Sequence, residues 1–189
     1  MSNTIKIIDT RILSDYRYLL KQVTFSVNGK EEQKKEVYTR SNSAAVLLYN
    51  TQRQTVVLIR QLRLPTYLNG NEDGMLVECC AGTMDAGETA EECIRREAIE
   101  EMGYELQEMK KVGEAYVSPA SVTEMVTLFI APYTAEMRTS EGGGLKEEHE
   151  DIEVLEMPFE KAFSMMESGA IRDAKTIMLL QYVKMKGVM

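Results

Sequence analysis

The stretch Gly82–Tyr104 reads GTMDAGETAEECIRREAIEEMGY, and the rest of the chain is best read outward from it. Thr89 followed by Glu92 forms a capping box, which predicts a helix over about Ala90–Met102. Gly103 supplies the left-handed residue that ends it. At ~100° per residue, Glu97, Glu100 and Glu101 fall within roughly a 100° arc. Ala90, Ile94, Ala98 and Met102 form the adjoining apolar stripe, so three carboxylates stand at the border of the buried face. Like charges three and four positions apart repel, and a purely structural helix interleaves lysine there. A hard divalent cation removes the repulsion, because such ions prefer oxygen ligands. Arg96 lies four residues from both Glu92 and Glu100 and can orient Glu100 by an ion pair. For an isolated E-x-x-E-E, a solvated acidic face is the plain alternative.

The flanking segments predict mixed α and β structure around one core. Ser43–Tyr49 and Thr55–Gln61 are strongly apolar strand candidates joined by a turn at 50–54. Tyr67–Asp73 reads as a loop and Met75–Cys80 as one buried strand. Lys111–Val117, Val122–Ala131 and Ile152–Glu156 read as later strands. Gly142–Gly144 opens a flexible acidic loop. Pro158 starts a helix that Gly169 stops, and Asp173 caps a last helix ending near Gly187. On the N-terminal side, Tyr16–Val27 and Lys30–Thr39 flank Asn28-Gly29, the strongest short hairpin signal. The return strand is highly charged, so it reads as an edge or as part of a contact with another subunit. The expected organisation is an N-terminal β arm over 1–40 and a main domain over 41–189.

Bulk properties narrow the classes. The 189 residues are 44% apolar and 28% charged, with a net charge of −8 and a pI near 4.9. No basic stripe suits nucleic acid. No apolar run reaches the ~18 residues that span a bilayer, and Met1–Arg11 lacks a signal-peptide core. Cys79, Cys80 and Cys93 form neither a disulfide framework nor a Cys/His metal motif, which suggests a reducing cytoplasm. The 13 methionines read as core filling.

The central stretch resembles the Nudix box, G-x5-E-x7-R-E-U-x-E-E-x-G-U, where U is bulky and apolar. Gly82, Glu88, Arg96, Glu97, Glu100, Glu101 and Gly103 all occupy its fixed positions. Seven such matches at ~7% usage each arise by chance at roughly 10⁻⁸ per start site. Ala98 is small for its U position and Tyr104 polar-tipped for the other. The resemblance implies an α/β/α sandwich around a mixed sheet. It also implies Mg²⁺-dependent (or Mn²⁺-dependent) cleavage of a pyrophosphate. Glu97 and Glu101 would be metal ligands, with Glu100 a further ligand or helper, and the Ala81 carbonyl another ligand. Glu88 and Arg96 would support the box, while Gly82 and Thr83 would line the substrate site.

Over nearly its whole length the chain looks like the GDP-mannose pyrophosphatase branch, close to the ADP-ribose pyrophosphatases. Ile12–Asp15, Lys35–Tyr38, Val56–Gln61, Asn69–Asn71, Cys80–Gly82, Ser118-Pro119, Val122–Glu124, Gly142–Gly144 and Ile171–Asp173 carry the likeness. ADP-ribose enzymes show E-x-P-A-G before the box. Here Cys80 stands where that proline would be, which favours GDP-mannose, cleaved to GMP and mannose 1-phosphate. ADP-ribose, cleaved to AMP and ribose 5-phosphate, is the alternative. Pro119, sixteen residues after Gly103, discriminates weakly. A non-catalytic nucleotide-sugar sensor is a remote third reading, since such modules usually lose box carboxylates.

The branch likeness carries further roles. Glu150, on the glycine-rich loop, would touch the metal and act as general base, and the loop would close over substrate. Glu124 would be a second base or a sugar contact. Arg63 would bind phosphate or nucleotide, and Lys175 would be a basic contact. Lys34, Lys35 and Glu36 would form a binding segment on the arm. Arg17 falls where the branch carries an aromatic residue, between Tyr16 and Tyr18. Ordinary readings stand beside these: Arg63 as a strand-end arginine, Lys34 and Lys35 as a solvated edge, Lys175 paired with Asp173. His149, the single histidine, is a proton shuttle or an exposed loop residue. Arms of this kind exchange between two subunits, so a homodimer is expected.

Overall fold

The computed structural model describes residues 2–148 and 150–189; His149 therefore lies outside the described residues. The chain divides into two compact units: residues up to Asn42 with Tyr116–Met125, and Ser43–Ala115 with Val126–Met189.

The first unit is an antiparallel sheet of β1 (Ile5–Ser14), β2 (Leu19–Val27) and β3 (Gln33–Thr39), in that order. Asn28 and Gly29 both adopt positive φ, 54° and 69°, as a tight hairpin turn between right-twisted strands requires. β2 and β3 begin about three residues later than the sequence suggests. The outer strand β1 is not anticipated at all. Its sequence, IKIIDTRILS, breaks alternation with adjacent apolar pairs, and its pairing with β2 shifts register twice, between Ile7 and Asp9 and between Ile12 and Ser14. Such irregularities erase the period of two by which strands are recognised.

The second unit holds a mixed sheet. Its strands are β4 (Ser43–Asn50), β5 (Thr55–Leu62), β6 (Met75–Glu78), β7 (Cys80–Thr83), β8 (Lys110–Tyr116), β9 (Met125–Pro132) and β10 (Glu153–Pro158). The main path runs β10-β5-β4-β9-β8, with β6 beside β5 and β7 beside β4. β4 and β9 run parallel, whereas β10–β5, β5–β4, β5–β6 and β4–β7 are antiparallel. Among the described residues the α-helices that accompany it are α1 (Leu64–Leu68), α2 (Ala90–Glu97), α3 (Phe159–Glu167) and α4 (Ala174–Met185).

β4 is apolar on both faces because both are covered. Ala44, Val46 and Leu48 pack in one layer with Cys93, Ile94, Ala98 and Met102. Ala45 and Leu47 pack in the other with Phe159, Ala162, Leu179, Leu180 and Val183. Each large side chain so buried contributes about 2 kcal/mol of transfer free energy. The result is the expected α/β/α sandwich.

Three local departures shape the site. The expected strand Met75–Cys80 is split at Cys79, whose N–H donates to Thr176 Oγ1 at 2.7 Å rather than to a strand. There the chain leaves β5 and joins β4. The expected loop from Tyr67 begins inside α1, where Pro65 presets the first turn. The expected helix over Ala90–Met102 is α-helical only to Glu97, and Ala98–Met102 form a wider π turn. Gly103 N–H is shared between the carbonyls of Ala98 and Ile99, and Tyr104 N–H reaches Ala98 O at 3.0 Å. That closing pattern delivers Tyr104 into the core, edge-on to Tyr133.

Gly103 has φ +78°, and a Cβ there would overlap the backbone of Ser140. Gly103→Ala is therefore expected to lower stability by on the order of 3 kcal/mol, measured by urea unfolding. A loss below about 0.5 kcal/mol would show that the approach of Ser140 is not a constraint.

Candidate active site

Thr89 caps α2 as its sequence predicts: its hydroxyl accepts from Glu92 N–H, and Glu92 accepts from Thr89 N–H at 2.9 Å. Glu92 is thereby used up, and Arg96 turns elsewhere than its i−4 neighbour. Its Nε and Nη2 donate to the two Glu88 oxygens at 3.0 and 3.1 Å. Its Nη1 donates to Glu97 at 2.7 Å and to Glu100 at 3.1 Å, the latter as the sequence spacing predicts. Nη2 also reaches Thr83 O at 3.4 Å. One guanidinium thus gathers three carboxylates and the end of β7. The bond to Arg96 is the main reason that Glu88 is held below its ordinary carboxylate pKa, and Arg96 itself is raised.

The two remaining features are a missing side chain and a buried acid. A Cβ at Gly82 would overlap the Glu97 carboxylate, so glycine lets that carboxylate lie directly on β7. Glu101 is 2% exposed, and its carboxylate accepts from Ala81 N–H at 3.2 Å and from the Cys80 thiol. Burial pushes its pKa up to about 8, and the charges of Glu97 and Glu150 add to the rise. Glu97 is raised too, by burial first and then by Glu100 and Glu150 against the pull of Arg96. Two acids short of compensating charge, on a face kept open by Gly82, form an oxygen donor set that fits a hard divalent cation. Among the described residues no three Asp, Glu, His or Cys side chains converge into a cage by themselves. Such an ion would complete its shell with backbone oxygens, water, substrate and the neighbouring carboxylates of Glu100 and Glu150.

Glu150 accepts from Leu145 N–H at 3.1 Å, and its carboxylate lies against Gly144. The glycine run before it makes main-chain bonds to the end of the box helix. Gly143 N–H donates to Glu101 O and Gly144 N–H to Glu100 O, each at 3.0 Å, satisfying carbonyls that the helix end leaves open. Their positive φ serves this close docking.

A second cluster lies at the split strand. Arg63 binds Glu78 in bidentate fashion, at 2.6 and 3.2 Å. Lys175 meets Asp173 at 2.6 Å and Glu78 at 3.5 Å. Asp173 also caps α4, accepting from Thr176 N–H at 2.9 Å. Glu78 is 2% exposed and was not singled out from the sequence, although a lone acidic residue inside an apolar strand was the available signal.

The other predicted residues belong to the first unit. Arg17 stacks over the Tyr18 ring at 5.5 Å. Lys34, Lys35 and Glu36 are exposed on β3. Glu124 pairs with Arg40 at 3.3 Å.

Residues 39–180 match the model of the NUDIX domain. The chain belongs to the Nudix family. It is 51% identical to a GDP-mannose pyrophosphatase of Salmonella arizonae and 50% identical to one of Cronobacter sakazakii, each over the whole of both chains. A crystal structure of an ADP compounds hydrolase superposes with a TM-score of 0.75 at 18% identity, covering 98% of this chain and 97% of that one, a likeness of fold. Nudix hydrolases generally use divalent metals. No helix among the described residues is long and apolar enough to cross a membrane.

In the metal-free Nudix chain, Glu101 holds its proton to about pH 8 when folded and loses it near 4.5 when unfolded. The folded state binds more protons across that window, so stability should fall as pH rises through it. Glu101→Gln should flatten the decline in urea melts with chelator present. An equally steep decline in the variant would remove Glu101 as its cause.

Proposed function

We propose that this Nudix chain hydrolyses the pyrophosphate bond of a nucleoside diphosphate sugar, GDP-mannose to GMP and mannose 1-phosphate, with Mg²⁺ as cofactor and Mn²⁺ as a substitute. The carrying observation is the likeness to GDP-mannose pyrophosphatases over the whole of both chains. Glu97 and Glu101, with the Ala81 carbonyl, would hold the ion, and Glu100 and Glu150 stand as further ligands. When bound, such an ion neutralises diphosphate charge and acidifies water. Arg96, held by Glu88, keeps Glu97 and Glu100 from swinging away into solvent. Glu150 is the candidate general base, receiving a proton from the attacking water. Glu100 or Glu124 would assist, Glu124 alternatively touching the sugar. The main chain at Gly82 and Thr83, with Arg63 and Lys175, would bind the diphosphate. Arg17, Lys34, Lys35 and Glu36 would contribute from the arm. Retention of all three helix carboxylates argues against a sensor without turnover.

We further propose that residues 1–40 form a dimerisation arm exchanged between subunits and that 41–189 form the hydrolase domain. β1 supports this reading. It is the outer strand of its sheet, all ten of its residues are exposed, and Ile5, Ile7 and Ile12 are each more than half accessible. A long apolar edge of this kind invites pairing. Three buried free thiols support a reducing, cytoplasmic setting.

A phosphate-release assay coupled to phosphatase, with Mg²⁺, tests the substrate. GDP-mannose should exceed ADP-ribose in kcat/KM by at least about tenfold, or roughly 1.4 kcal/mol. The reverse order would transfer the activity to ADP-ribose, and turnover of neither would remove both readings. Glu97→Gln and Glu101→Gln should each lower kcat by several orders of magnitude. Sedimentation should show a dimer, and a fully active monomer would overturn the exchanged arm.

A further inference from the structure

Glu78 lies in a setting hostile to charge. It ends β6 opposite Ile59, which is fully buried, and is itself 2% exposed. Two cations nevertheless converge on it. Arg63 gives it Nε and Nη2, and Lys175 approaches the same Oε2 that receives Nη2. Lys175 is braced from the other side by Asp173, whose second oxygen accepts from the Thr176 hydroxyl at 2.7 Å. That hydroxyl accepts in turn from Cys79 N–H, the residue following Glu78. The network closes on itself at the strand break.

Stability alone does not account for such a group. A buried ion cluster is often no more stable than apolar residues of equal volume. What it does supply is direction. With Nε and Nη2 committed to Glu78, the Arg63 guanidinium has no other hydrogen-bond partner among the described residues, and its side chain is 40% exposed. It also stands within electrostatic reach of Glu101, beside the acidic cluster.

We infer that Glu78 is a positioning residue for substrate binding: its buried carboxylate clamps the Arg63 guanidinium and the Lys175 ammonium into one oriented cationic pair for the diphosphate. The inference rests on the reading of Arg63 and Lys175 as diphosphate contacts. Without Glu78, two cations are left partly buried with one carboxylate between them, and Arg63 loses the fork that sets its plane.

The test compares Glu78→Gln, Glu78→Asp, Arg63→Ala and the double variant Glu78→Gln/Arg63→Ala. KM and kcat are measured on the sugar nucleotide turned over, and Kd on the non-cleavable α,β-methylene analogue of GDP. Glu78→Gln should raise KM and Kd about tenfold, the loss of an oriented charged hydrogen bond, with kcat changed less than threefold. Glu78→Asp, which keeps the charge but withdraws it by one methylene, should fall between. The double variant should lose less than the sum of the two single losses, because part of what Glu78 does passes through Arg63 and the rest through Lys175. Lower kcat at unchanged KM, or losses that add in the double variant, would overturn the inference and leave a structural role. If the wild-type chain cleaves no nucleotide sugar, the proposed function fails while Kd still judges Glu78. Wild-type binding of the analogue no tighter than that of Arg63→Ala overturns the inference as well.

Discussion

The structure is organised around acidic groups that the core buries without fully compensating their charged forms. Glu101 sits under the sheet with one main-chain N–H and one thiol for company, and Glu97 lies beside it on the bare face of Gly82. In a low-dielectric setting each charge opposes the other, and burial opposes both. Several local features answer to this constraint. Arg96 has to be shared among Glu88, Glu97 and Glu100, and Glu92 has to be diverted into the helix cap. Position 82 has to be glycine. A protein selected for stability alone would not keep such an arrangement; one selected to hold a cation would.

The strand break at Cys79 is the second organising feature. It lets one short segment serve two neighbours, β5 through Met75–Glu78 and β4 through Cys80–Thr83. The same break turns Glu78 toward α4 and brings the box loop onto α2. The strand end that meets Arg63 and Lys175 and the strand that meets Glu97 and Glu101 are therefore separated by a single residue in the chain, Cys79. The hydroxyl of Thr176 substitutes for the missing strand partner at the break, tying the helix layer to the sheet where the chain changes lanes.

Much of this was legible in the sequence because local signals agreed with the global fold. The Thr89–Glu92 cap, the apolar stripe from Ala90 to Met102, Gly103 and the continuous apolar run of β4 each follow from short-range chemistry. β1 was not legible, because its two register shifts destroy alternation and its apolar residues face outward. The π turn at Ala98–Met102 was hidden because it depends on where Tyr104 finds its pocket against Tyr133. Gly142–Gly144 read as looseness because composition reports conformational freedom, not the carbonyls of Glu100 and Glu101 that use it. The pairing of Lys175 with Asp173 was legible from their spacing, whereas its approach to Glu78 joins segments 97 positions apart, which no local pattern encodes.

The cysteines carry a consequence of a different kind. Cys79, Cys80 and Cys93 are inaccessible, and burial pushes Cys79 and Cys93 up to about 12 and Cys80 well above its ordinary value. A thiol that is both hidden and protonated reacts only when its surroundings open. Cys80 and Cys93 face the layer beneath α2, while Cys79 faces the layer of α3 and α4. The molecule thus contains clocks on opposite sides of one sheet. The pace at which an alkylating reagent reaches each would time the breathing of the catalytic layer separately from that of the layer behind it.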